Sequence, residues 1–147
     1  MIKDLVFTPD PLLNKRSTPV KNFKNIRRLM NHMKDTLVEH KGVGIAAVQI
    51  GKTKRAFIMW DQEHKNFIPI INPIILFVEG EQDSKEMCLS CPGVEATIVR
   101  PKTIGVQFLD LDRHMHTMKF EGKLACIFGH EYDHLEGITI ADLAGVH

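Results

Sequence analysis

An α+β fold is predicted by three features of the 147-residue sequence. Apolar residues recur at helical spacing near its start. Short β-branched and apolar runs broken by Pro, Gly and Asp fill its middle from about residue 54 to 120. A second helical pattern closes it. Helices flanking a strand-rich centre are the signature of segregated α and β layers around one core, and the length suits a single domain over 1–147.

The segment "TPDPLLNKRSTPV", residues 8 to 20, holds three prolines and reads as an extended surface wrapper, because proline lacks an N–H and restricts the residue before it. Asn22 then offers a cap for a helix whose apolar positions Phe23, Ile26, Leu29, Met30, Met33 and Leu37 follow three and four apart, ending near Gly42. Strands are expected in "RAFIMW", "FIPIINPIILFVE", "TIGVQFLDLD" and "HTMKF". Ile104, Val106 and Phe108 alternate with smaller or polar residues before the turn "DLDRH", which predicts a hairpin; its His114 and His116 read as solvated. A helix over roughly 121 to 135 stops by Gly137.

Nineteen Lys and Arg against eighteen Asp and Glu supply no large uniform field for a nucleic acid or an anionic membrane, and a compact, neutral substrate fits better. The start lacks the basic flank and apolar run of a signal peptide, and no stretch approaches the roughly 20 apolar residues of a membrane span, which predicts a cytoplasmic protein. Three cysteines are too few and too odd for a disulfide scaffold.

The closing helix carries "HEYDH". Residues four apart share a helix face, so His130 and His134 can offer two imidazoles to one ion with Glu131 beside them; the competing reading is two surface histidines, which the apolar Leu124, Ile127, Phe128 and Leu135 disfavour. A third ligand further along is excluded: the extended motif H-E-x-x-H-x-x-G-x-x-H would place a histidine where Ile140 stands. Upstream, "CLSC" offers Cys88 and Cys91. Both thiolates would close a structural site; on a strand, residues three apart face opposite ways and one cysteine alone would leave a position open.

Three ordered blocks together resemble the peptide deformylase family: "GVGIAAVQ" at 42 to 49, "EMCLS" at 86 to 90 and "GHEYDHL" at 129 to 135. The resemblance implies antiparallel sheets surrounding a central helix that bears the metal motif, with one further N-terminal helix. It also implies a hydrolase that releases formate from the N-formylmethionyl ends of nascent chains. By it, Cys88, His130 and His134 hold one divalent ion, normally Fe(II), with Zn, Ni or Co able to take its place. Glu131 is the general acid/base for a metal-activated water, Gln49 and the Leu89 N–H stabilise the oxyanion, and Val43, Gly44, Glu86 and Met87 line the substrate pocket; Cys126 and Ile127, four and three residues before His130 on its helix face, read from their spacing as core packing or as an apolar pocket for the methionine side chain. Outside this reading stand a metallopeptidase of other specificity and a non-catalytic binding module stabilised by metal.

From the residues themselves, Gly42 and Gly44 read as a helix end and turn, and Glu86, Arg100 and Asp133 as a charge network behind the ligands or as surface pairs. The chain departs from the family pattern in three places. Met87 replaces a glycine, putting bulk where a substrate backbone approaches. Gly129 replaces a glutamine, at about 1 kcal/mol against alanine within a helix. The usual C-terminal helix is nearly absent, which speaks against docking on the ribosome through it, although work near the ribosome follows from the substrate.

Overall fold

A computed structural model describes residues 1–146. Among these residues three α-helices, α1 (Ile26–Glu39), α2 (Lys123–Leu135) and α3 (Ile140–Ala144), accompany seven strands. Strands β1 (Gly44–Ala46), β2 (Ala56–Asp61), β3 (Asn66–Glu79), β6 (Thr103–Leu109) and β7 (Met115–Glu121) form one antiparallel sheet in the order β1-β2-β3-β6-β7. Strands β4 (Gln82–Met87) and β5 (Glu95–Arg100) form a second, two-stranded antiparallel sheet. The architecture is α+β, with α2 packed against β1, β2, β5 and β7.

Aromatic packing seats α2. The ring of Phe128 meets Phe57 of β2 edge-on at 5.3 Å between centroids and stacks on Phe120 of the edge strand β7 at 5.8 Å, so one fully buried side chain ties the helix to two separate strands of the sheet. On α1 the buried side chains Ile26, Met30, Met33 and Leu37 recur at three and four, as their spacing predicts.

Several local expectations change. The cap of α1 is Asn25 rather than Asn22, whose side chain instead accepts the Lys24 N–H at 2.9 Å in a turn of its own. The proline-rich segment does more than wrap: Leu13 is fully buried, and the Asn72 amide holds the segment by pairing with both backbone groups of Val20 at 2.7 and 2.8 Å. Gly42 ends α1 as expected, its N–H bonding the Leu37 carbonyl at 3.1 Å. Gly44, however, lies in β1 and is no turn. Strands β1, β4 and β5 and the short α3 are additions to the predicted set.

Candidate metal centre

The two histidines come from α2, and the four-residue spacing places their rings 5.2 Å apart on one face. Cys88 comes from the loop that leaves β4. Its Sγ lies 3.4 Å from His134 Nε2, and the ligand atoms of Cys88, His130 and His134 all fall within 4.8 Å of one another. No other group of three candidate ligand residues is found among the described residues.

Cys91 is buried beside this cluster and outside it. The reason differs from the expected one: residues 88 to 91 form a tight turn, with the Cys91 N–H on the Cys88 carbonyl at 3.0 Å, and not a strand whose faces alternate.

A thiolate and two imidazoles suit a borderline divalent ion and leave one coordination position open. Electrostatics agree with that donor set. Burial, with a smaller contribution from the His130 charge, pulls His134 down to about 3, so its ring is neutral and has a free lone pair; its Nδ1 finds no partner among the described residues. Burial also pushes His130 down, but the charges of Glu131 and Glu86 outweigh it and raise it overall. His130 Nδ1 lies 2.9 Å from Glu86, leaving Nε2 for the ion. The Cys88 thiol is pushed far up by its hydrogen bond with Cys91, then by burial and by the Glu131 charge. A cation at this point reverses that balance and favours the thiolate. The residues present therefore fit a bound metal.

Glu131 is 3% exposed, and its Oε1 has no partner among the described residues. Burial, partly offset by His130, raises its carboxyl to about 7, the range in which a group can both take and return a proton at neutral pH. The space it occupies explains Gly44: a Cβ there would lie 2.6 Å from Glu131 Oε2. Gln49 is locked by accepting the Ala46 N–H at 2.9 Å and donating to Ser90 Oγ at 3.1 Å, with its amide nitrogen also 3.7 Å from Cys88 Sγ. The Leu89 N–H has no acceptor among the described residues.

Behind the ligands the charge network is buried. Arg100 donates to both oxygens of Glu86 at 2.8 and 2.9 Å and to Asp133 at 2.7 Å. Burial pushes Glu86 up, but Arg100 and His130 outweigh it and hold the carboxyl down to about 2. Burial keeps Asp133 raised despite Arg100. The same network accounts for Gly129, where a Cβ would stand 3.2 Å from Arg100 Cδ and 3.3 Å from Nη1.

A cleft of about 430 Å³ opens over the centre. Val43, Gly44, Gln49, Glu86, Met87, Cys88, Leu89, Cys126, Ile127, His130 and Glu131 all line it, whereas His134 lies behind the wall. Strands β1 and β4 each have one neighbour, so each brings an unpaired edge to this cleft. Met87 leans out from its rim, 74% exposed, rather than filling it. Sequence reasoning missed Ser90, although it closes the "CLS" block. It also missed His40, Lys41, Ser84, Lys85 and Lys123, which line the cleft and carry no local signal.

A family model described as polypeptide deformylase matches residues 2–145. The peptide deformylase of Carboxydothermus hydrogenoformans is 40% identical over 136 residues, covering 92% of this chain and 88% of that protein. Peptide deformylase 1 of Clostridium perfringens is 37% identical over 142 residues, covering 96% and 97%. The crystal structure of peptide deformylase from Thermotoga maritima superposes with a TM-score of 0.91 at 33% identity and 97% coverage of both chains. A Met-Ala-Ser-bound class I type b peptide deformylase from Acinetobacter baumannii superposes with a TM-score of 0.90 at 28% identity, covering 97% of this chain and 98% of that one.

Proposed function

Because this chain belongs to the polypeptide deformylase family, we propose that it hydrolyses the formyl amide of N-formylmethionyl nascent chains around one divalent ion held by Cys88, His130 and His134. Formate and a free N-terminal methionine are the products. The observation that carries this reading is the convergence of a thiol and two imidazoles beside a buried carboxyl with an unpartnered oxygen.

When bound, the ion supplies Lewis acidity that makes water acidic enough to ionise near neutral pH; Fe(II) is the metal we assign, with Zn, Ni or Co as substitutes. The chain's own residues do the rest. Glu131 takes the proton that the attacking water loses and returns it to the methionine nitrogen as the C–N bond breaks. Charge gathering on the formyl oxygen is met by the Gln49 amide and the Leu89 N–H, each worth roughly 2.7 to 4 kcal/mol where aimed at an oxyanion. Ser90 positions Gln49 by accepting a hydrogen bond from its amide nitrogen at 3.1 Å. The unpaired edges of β1 and β4 suit an extended peptide, and Cys126, Ile127 and Val43 offer the apolar wall for a methionine side chain. Exposed Met87 leaves the cleft open to that peptide. Its substrate sets the work beside the ribosome, in the cytoplasm.

The test is an anaerobic preparation loaded with Fe(II) or Ni(II) and assayed for formate from formyl-Met-Ala-Ser. Release is expected, falling by roughly 10²- to 10⁴-fold in Glu131→Ala at unchanged metal content. No release above that variant would overturn the reading.

A further inference from the structure

The balanced total charge suggests a neutral substrate, but charge at the cleft is not balanced. Three lysines from separate parts of the chain converge on it: Lys41 just beyond α1, Lys85 on β4 and Lys123 at the first turn of α2, with His40 beside them. All three are exposed. Among the described residues, the only acidic ones lining the cleft are Glu86 and Glu131, both buried. Glu86 is already satisfied by Arg100 at 2.8 and 2.9 Å and by His130 at 2.9 Å. Lys85 has one carboxylate neighbour, Glu95 at 3.1 Å, in a pair left 78% and 53% exposed and so weakly held. Lys41 and Lys123 make no ion pair among the described residues. A formylated peptide has lost its N-terminal positive charge, so nothing at its reacting end opposes this field. The formyl group must reach Glu131 and Cys88, so the residues after methionine lie in the same cleft that the lysines line.

We propose that Lys41, Lys85 and Lys123 make this chain selective for formylmethionyl peptides carrying an acidic side chain within the first two or three residues after methionine. The inference rests on the deformylase reading and refines its substrate class. Exposed charges around the cleft act chiefly on the encounter with a charged peptide, so the preference appears in kcat/KM and fades with salt.

The experiment compares C-terminally amidated formyl-Met-Ala-Asp, formyl-Met-Ala-Ser and formyl-Met-Ala-Lys on one metal-loaded preparation. The Asp peptide is expected to exceed the Lys peptide by about tenfold in kcat/KM at about 20 mM salt, and the ratio to shrink severalfold at about 0.5 M. In the double variant Lys41→Glu and Lys123→Glu the order should invert; in Lys85→Gln, which avoids a clash with Glu95, the ratio should fall. Ratios within one preparation are independent of how much of it is folded. Turnover of all three peptides within about twofold at low salt, or a ratio unmoved by charge reversal, overturns the proposal while leaving the deformylase reading intact. No formate from any peptide overturns both.

Discussion

Arg100→Met removes the one cation from the interior of the network behind the ligands while keeping much of the side chain's apolar volume. Arg100 and Glu86 are each 7% exposed, so Glu86 would be left buried with no guanidinium, a circumstance that costs about 3 to 5 kcal/mol. The titration of Glu86 gives an independent figure. Its carboxyl is held from an ordinary 4.5 down to about 2, and at about 1.4 kcal/mol for each tenfold change in proton affinity this is about 3 kcal/mol, of which His130 supplies a share. Because the folded-state value is depressed, this stability is fully present above about pH 4.5 and is lost as pH falls through about 2. Urea unfolding of the metal-loaded protein at pH 7 should show the full loss of about 3 to 5 kcal/mol, and the gap between variant and wild type should narrow as pH falls from about 4.5 towards 2. The same change at exposed Arg16, paired with Glu136 at 3.0 Å, should leave stability within error. A loss below about 1 kcal/mol that stays the same across this pH range would show that the network contributes no more than surface pairs do.

Three other outcomes follow from the site. Gly44→Ala puts a Cβ 2.6 Å from Glu131 Oε2, so formate release should fall at least about tenfold with the circular dichroism spectrum unchanged; wild-type rates would show that Glu131 can move without cost. Removal of metal by a chelator and reloading with Co(II) should give a thiolate-to-metal absorption band that Cys88→Ser abolishes and Cys91→Ser retains; the converse would exchange the ligand. Gln49→Leu should lower kcat by about 10²- to 10³-fold while KM changes little, and a KM effect alone would make Gln49 a binding residue.

The metal ligands on α2 were legible because a helix converts four-residue spacing into a shared face without help from the rest of the fold. The third ligand was legible only as a choice between two cysteines, since the spacing of Cys88 and Cys91 means one thing on a strand and another in the turn that forms. Strand β4 was opaque for a related reason. "QDSKEM" has a single buried residue, Glu86, and its strand character comes from pairing with β5 rather than from an apolar pattern. The short α3 did carry a signal, as Thr139 and Asp142 cap it reciprocally, but five residues are too few for a periodicity to appear. The lysines of the cleft are 38 to 82 positions apart, and only the folded chain brings them together.

Stability and site geometry depend on the same contacts in this chain. The small sheet reaches α2 through Glu86 of β4, which orients His130, and through Arg100 of β5, which binds Glu86 and Asp133. Cys88 follows Glu86 by two residues, so the ion network that docks this sheet on the helix also sets where the sulfur meets the imidazoles. Gly129 belongs to the same arrangement: the helix forgoes about 1 kcal/mol of propensity at that position, and the vacant side-chain space admits the guanidinium that holds the sheet in place. A methyl group there would stand 3.2 Å from Arg100 Cδ, so the Arg100 side chain would have to give by a few tenths of an ångström, a small displacement felt directly by the group that ties the sheet to the helix.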